Sequence, residues 1–438
     1  MVLLLVGVLA AALLTWLLPA GAYERVADPS TGRELVVPGT YHRIDAAPVG
    51  PAGAVLAVPR GIVAGADVVV VILFVGGAFV LLESTGALRR LVGALVGRTR
   101  NPRVVVVGVS LVFATLGAMV NLHEEIIALV PVLLVLSRGL GFGAITALAM
   151  SVGSAVVGSA FGPTNPFASG IANRFSELPL ATGTGVRLAV TVVAVAVWIC
   201  YTLSQLKHDD ERGNEAVDAS CASKETPSWR DGVLLMIVLM PFVPYIFGVL
   251  TLDWGFNELS AIFLVAAFAV GLTAQLNLRE TTVAYLKGMD AMLSAALFVG
   301  VARAISVVLT DGRVIDTIVY GLALPLEHVP RMAAAGLMVP VHMLLHVVVP
   351  SNSGQAALTM PIMAPLADLL GFPRAVAVMA YQTGAPTLDM LIPTNGALLA
   401  MLLAAGVPYP RWLRFAVPGT LLVVLVGLIG MAVALVTT

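Results

Sequence analysis

A chain of 438 residues would make two or three soluble domains by length, yet 59% of it is apolar and only 11% is charged. Soluble domains carry about 25% charged residues, and a water-soluble globule of this size could not cover its surface with so few. The formal net charge of −1 comes without a basic tract or an acidic tail, which excludes nucleic acid as a partner. What remains is an all-α polytopic membrane protein.

Apolar stretches of about 20 residues cross a bilayer, and they are taken here in chain order. The first is 2–21, where Met1 is followed directly by Val2-Leu3-Leu4-Leu5 without the positive lead of a signal peptide. Next come 62–88, then 104–137, whose centre Asn121-Leu122-His123-Glu124-Glu125 is too polar for a plain span. The tract 143–178 is interrupted by Pro163-Thr164-Asn165-Pro166. After the span 184–206 and the polar linker 207–230 follow spans 232–250, 256–275 and 289–310. Segment 332–369 has the polar centre Pro350-Ser351-Asn352-Ser353-Gly354-Gln355, and 374–404 is interrupted by Pro393-Thr394-Asn395-Gly396. The last span is 415–436. Cys200 and Cys221 have no metal spacing and read as incidental thiols.

Fourteen of the 24 Lys and Arg fall in connections assigned to the cytoplasm, nine fall outside, and Arg303 lies within a span. Arg89, Arg90, Arg98, Arg100 and Arg103 precede 104–137 and Arg138 follows it, so that segment is expected to be a re-entrant hairpin. Shifting the chain on itself by 230 positions superposes Pro163-Thr164-Asn165 on Pro393-Thr394-Asn395, Gly141-Phe142 on Gly371-Phe372, and Pro131 on Pro361. Asn121 falls on Ser351 and Glu125 on Gln355. The chain is therefore expected to hold an inverted repeat with about nine transmembrane spans, two re-entrant hairpins and two broken helices, its C-terminus outside. Residues 1–206 form the first repeat, 207–255 a cytoplasmic linker and connecting span, and 256–438 the second repeat. Inverted repeats whose broken helices meet at the midplane belong to secondary transporters.

Non-helical backbone at membrane depth is tolerated only inside protein or beside water. The breaks free carbonyls and N–H groups. With Thr164, Asn165, Thr394 and Asn395 they could hold a cation such as Na⁺ (near Asn121, Asn165, Asn352 and Asn395), or a carboxylate at a half-helix N-terminus. The alternative is a proline kink rescued by neighbouring hydroxyls. Glu124 and Glu125 each cost a few kcal/mol at depth unless paired, protonated or hydrated; they read as a proton acceptor, a cation site or a clamp for a substrate amino group. His123 titrates near neutral pH or caps the hairpin. Arg303 neutralises a substrate carboxylate or pairs with Asp311 or Asp316, the structural pairing being favoured. Asp389 lies close to the second break. His342 and His346 have the i, i+4 spacing of a zinc site, but position 343 is Met where a zinc protease needs Glu. They read as core or pathway residues, and no enzyme activity or cofactor is expected beyond Na⁺ or H⁺ coupling.

Several stretches together carry a family likeness: Leu13-Leu14-Thr15-Trp16-Leu17-Leu18-Pro19-Ala20-Gly21, Gly162-Pro163-Thr164-Asn165-Pro166-Phe167, Ser353-Gly354-Gln355-Ala356, Met360-Pro361-Ile362-Met363-Ala364-Pro365-Leu366 and Pro393-Thr394-Asn395-Gly396. The chain resembles the YfcC branch of the DcuC-type (C4-dicarboxylate anaerobic carrier-like) transporters, within the ion-transporter superfamily. That resemblance implies two hairpin tips, 121–125 and 351–355, meeting two unwound helices at 163–166 and 393–396. It also implies a carrier of small carboxylate solutes, from C4-dicarboxylates to arginine and ornithine. The stretch Gly384-Ala385-Pro386-Thr387-Leu388 departs from the Gly-Asp-Gly-x-Thr-Asn pattern associated with the branch. The expected site is Asn121, His123, Glu124, Glu125, Thr164, Asn165, Ser351, Asn352, Ser353, Gln355, Thr394, Asn395 and Arg303. The expected function is alternating-access transport in the inner (plasma) membrane, leaning to amino acids. A dicarboxylate carrier and an ion channel are the alternatives, and a homodimer is a possible assembly.

Overall fold

The computed structural model describes residues 2–27, 34–88, 90, 91, 94, 101–121, 123, 126–163, 165–179, 182–212, 227–252 and 254–437. After α1 (Val2–Leu17), four short strands form two antiparallel pairs: β1 (Gly21–Ala22) with β4 (His42–Arg43), and β2 (Arg25–Ala27) with β3 (Glu34–Val36). There follow α2 (Pro51–Ala64), α3 (Ala66–Ser84), α4 (Pro102–Val120), α5 (Ile126–Gly139), α6 (Ala144–Phe161), α7 (Ile171–Phe175) and α8 (Thr184–Arg212). Next are α9 (Trp229–Leu239) and α10 (Phe242–Thr251). The chain ends with α11 (Phe256–Thr273), α12 (Leu278–Asp311), α13 (Ile315–Ala323), α14 (Arg331–Val348), α15 (Asn352–Leu369), α16 (Arg374–Leu388), α17 (Gly396–Ala404) and α18 (Tyr409–Thr437). Among the described residues, eight helices are long and apolar enough to cross a membrane, so the chain is a multi-pass α-helical membrane protein.

Three expected spans differ in extent. The one placed at 62–88 starts at Ala66, because Gly65 separates α2 from α3. The connecting span 232–250 is two helices: Pro241 lacks an N–H and interrupts the ladder between α9 and α10. The span 289–310 is part of the 34-residue α12.

The repeat extends to backbone conformation. Gly141 and Gly371 both take positive φ, 82° and 76°. Each closes a helix in the same way: Phe142 N–H donates to Ser137 O at 2.8 Å, and Phe372 N–H to Ala367 O at 3.0 Å. This is the left-handed helix stop that glycine accepts without strain. Helices α8 and α18 run antiparallel. On α18, Gly419 lies against Trp198 and Tyr201 while Gly430 lies against Val190, so α18 descends as α8 ascends. Arg374, which opens the second broken helix, pairs with Glu177 just after the first one at 2.7 Å.

Three further ion pairs join distant parts of the chain. Arg90 meets Asp231 at 2.7 Å on the side assigned to the cytoplasm. Arg25 meets Asp316 at 2.8 Å, and Arg60 meets Asp311, on the other.

Between helices in lipid there is no hydrophobic drive, and close approach of small residues supplies the contact. The α4–α6 seam works this way: a Cβ built on Gly117 would stand 2.0 Å from Ala155 O, and one on Gly158 would stand 1.9 Å from Ala114 O. These helices carry the first hairpin and the first break, so the seam sets their spacing. Gly158→Val should force the helices apart and abolish the monodisperse fraction in size-exclusion chromatography, whereas Gly108→Ala, with open space at its Cβ, should be silent.

The Arg90 guanidinium, hydrogen-bonded to Asp231, holds that carboxyl below the usual carboxylate range. A lowered folded-state value stabilises above the unfolded pKa and is lost as pH falls through the folded one. Asp231→Asn should therefore cost about 2 kcal/mol near pH 7, and its melting-temperature gap from wild type should narrow below about pH 4.

Candidate functional site

The second break is built by local chemistry. Pro386 weakens the end of α16, and the chain turns through 389–394 before Asn395 restarts it as α17. Asn395 Oδ1 accepts the Leu398 N–H at 3.1 Å, which caps the new helix. With its oxygen so engaged, the amide nitrogen points back and donates to Asp389 Oδ1 at 2.8 Å.

Asp389 then collects partners from both arms of the second hairpin. His346, near the end of α14, places Nε2 at 2.9 Å from Asp389 Oδ1. Asn352, first residue of α15, donates through Nδ2 to Asp389 Oδ2 at 3.1 Å. Behind them Gln355 Oε1 lies 2.6 Å from His346 Nδ1, and its Nε2 donates to His342 O at 2.9 Å. Tyr381 closes the ring by donating its hydroxyl to Asn352 O at 2.6 Å. Gln355, His342 and His346 have no exposure at all, and Asp389 has 6%.

The first break has the same frame with less charge. Asn165 Oδ1 accepts the Ala168 N–H at 2.9 Å. Its Nδ2 donates to Gly117 O at 3.1 Å and to Asn121 Oδ1 at 3.2 Å. Asn121 ends α4 in the left-handed conformation at φ 58°, which turns the chain into the tip. At the repeat offset, Ser159 occupies the place of Asp389, so the first break offers a hydroxyl where the second offers a carboxylate.

A cavity of about 270 Å³ lies between the tips. It is lined by Asn121 and His123 from the first tip, Ser351, Asn352 and Ser353 from the second, and Asp389 and Asn395 from the break. Arg303 and Asp67 come from α12 and α3, and Tyr245 and Phe256 also line it. The structural pairing favoured for Arg303 is not made, because Arg60 holds Asp311 and Arg25 holds Asp316. Among the described residues, Arg303 forms no ion pair and faces the cavity.

Most of the expected site is thus in one place. Gln355 stands one layer behind the cavity, Asn165 supports Asn121, and Thr394 is buried with its hydroxyl unpartnered among the described residues. Glu124, Glu125 and Thr164 lie outside the described residues. The side-chain oxygens of Asn121, Asn165 and Asn395, expected near a cation, each accept one N–H group, while Asn352 Oδ1 is buried without a hydrogen-bond partner among the described residues. The expected site does not include Asp389, noted only as close to the second break, or Asp67, and His342 and His346 are read there as core or pathway residues. The available signal was an acid immediately before a predicted break, one helical turn past Ala385, the place where the branch pattern carries its own acid.

Residues 1–437 match the sequence profile of the DcuC family, C4-dicarboxylate anaerobic carrier. An uncharacterized protein of Haemophilus influenzae is 28% identical over 412 residues, covering 90% of this chain and 80% of its own. The putative basic amino acid antiporter YfcC of Escherichia coli is 26% identical, covering 92% of this chain and 89% of its own. Among solved structures, the YdaH transporter of Alcanivorax borkumensis aligns over 99% of this chain and 97% of its own, with TM-score 0.46 and 17% identity. MtrF of Neisseria gonorrhoeae aligns over 99% and 94%, with TM-score 0.41 and 15% identity.

The matched caps make a matched pair of variants. Asn165→Ala and Asn395→Ala each remove a cap worth about 1–2 kcal/mol. Asn395→Ala should be the more destabilising in a thermal-shift series, since it also strips a donor from the buried Asp389 carboxyl.

Proposed function

The chain belongs to the DcuC family of C4-dicarboxylate anaerobic carriers, and from the chemistry of its cavity we propose that it exchanges cationic amino acids across the cell's inner membrane. One observation carries the reading: a guanidinium that forms no ion pair among the described residues, Arg303, shares a small cavity with the carboxyl groups of Asp389 and Asp67. A buried or half-buried charge must be neutralised to persist, and an amino acid brings both signs. Its carboxylate meets Arg303, its amino group meets Asp389, and a cationic side chain is served by Asp67. The name of the Escherichia coli relative, a putative basic amino acid antiporter, agrees with this assignment.

A C4-dicarboxylate fits the family name but not this lining as well. Two carboxylates would meet one arginine and two acids, and like charges brought together in a desolvated site cost several kcal/mol. His123, Ser351 and Ser353 supply the remaining polar contacts around the bound solute, and alternating access proceeds by movement of the two tips about the cavity.

Proteoliposomes loaded with L-ornithine should take up labelled L-arginine saturably and leave succinate outside. Arg303→Ala should weaken arginine binding about 30-fold or more, the cost of truncating one partner of a hydrogen-bonded charge pair being 2–5 kcal/mol. Succinate uptake without arginine exchange would overturn the substrate assignment, and ohmic current would make the protein a channel instead.

A further inference from the structure

The hydrogen-bond network behind the cavity fixes a proton. Gln355 Nε2 sits 2.9 Å from the carbonyl oxygen of His342, which can only accept, so the Gln355 amide is oriented with its nitrogen toward His342. Its Oε1 therefore faces His346 Nδ1 at 2.6 Å, and that oxygen can only accept, so Nδ1 carries a hydrogen. A neutral imidazole with Nδ1–H has a bare lone pair on Nε2. Yet Nε2 stands 2.9 Å from Asp389 Oδ1. Two lone pairs at that distance repel. The contact holds only with one further proton in it, carried as imidazolium on His346 or as carboxylic acid on Asp389. The other groups on Asp389 do not supply one: Asn395 Nδ2 and Asn352 Nδ2 donate amide hydrogens to its oxygens and cannot give them up.

We infer that the proton between His346 Nε2 and Asp389 Oδ1 is the coupling ion of this carrier, and that the substrate's amino group displaces it. The inference rests on the amino-acid reading for the displacing group and on hydrogen-bond geometry alone for the proton. Asp389 lines the cavity while His346 is fully buried, so an ammonium arriving in the cavity reaches the carboxyl from the open side. With the ammonium in place the proton leaves to solvent and Asp389 becomes a carboxylate paired with substrate. His346, now neutral, presents a lone pair to that carboxylate, and the contact between α14 and the break opens. One event thus exchanges proton for substrate and unlatches the second hairpin from the second broken helix. That is proton–amino acid antiport.

The other titratable and charged groups around this pair are His342 on α14, Tyr381 on α16 and His123 at the first tip. Arg303 on α12, Asp67 on α3 and Tyr245 on α10 line the same cavity.

Two measurements on the full-length protein in detergent test this, one without substrate. Nitrogen-15 spectra of labelled histidine, with His346 identified by the signals lost in His346→Gln, should show Nδ1 protonated. Nε2 should be either protonated as well or a strong hydrogen-bond acceptor. A neutral His346 with hydrogen on Nε2 and bare Nδ1 would overturn the proton assignment. In weakly buffered solution containing a pH indicator, L-arginine binding should release roughly one proton per molecule bound, and Asp389→Asn should release none. Arginine binding with proton uptake, or with no proton change, would overturn the exchange. Failure of arginine to bind would sink the substrate reading, while the histidine spectra would still decide the proton.

Discussion

Asp389 stands where α16 has already unwound, with its two oxygens held by His346 Nε2, Asn395 Nδ2 and Asn352 Nδ2. An acid at that depth costs a few kcal/mol unless it is paired or hydrogen-bonded, and each of its partners comes from a different element. His346 fixes the end of α14, Asn352 the start of α15, and Asn395 the start of α17. The shape of the second hairpin, the position of the break and the wall of the cavity therefore follow from satisfying one carboxyl group. Removing any one partner leaves the others with a buried group to solvate, so the network is cooperative in the sense that its members are worth more together.

The two halves share a frame and divide the chemistry. Both breaks restart their helix with an asparagine cap that turns its nitrogen inward, and both hairpins end in a glycine with positive φ. Yet the buried histidine–carboxyl pair belongs to the second half, where Ser159 is the first half's equivalent of Asp389. A frame repeated with opposite orientation gives two tips that face each other. Unequal side chains on the frame place a buried carboxyl at the second break and a hydroxyl at the first. In lipid, where burial of apolar surface gives no drive to associate, the halves are joined by close backbone approaches such as Gly61 against Gly300 and Ala304 and by ion pairs such as Arg374–Glu177.

Much of the frame was legible in the chain because it is written in local signals. Pro163 and Pro393 interrupt apolar runs, Gly141 and Gly371 stop helices, and the spacing of these marks repeats at one offset. The partners of the site were less legible. Arg303 looked paired, because Asp311 and Asp316 lie a few turns further along the same stretch. Packing gives those acids to Arg60 and Arg25, 251 and 291 residues away, and leaves Arg303 to the cavity. Likewise the asparagines at the breaks suggested oxygen ligands for a cation, and the structure adds a second role, helix capping by the oxygen with the nitrogen turned inward.

By itself, then, the sequence determined that the chain lives in a membrane, that it is built twice, and where its helices break. Those properties depend on composition and on residues within a turn or two of each other: scarce charge cannot be hidden in water, and proline cannot donate. Tertiary structure alone decided which polar groups meet. His346 and Asp389 are 43 residues apart, and their contact depends on the angle between α14 and a helix that has stopped one turn early. No local pattern encodes that angle. It is set by side-chain packing across the bundle.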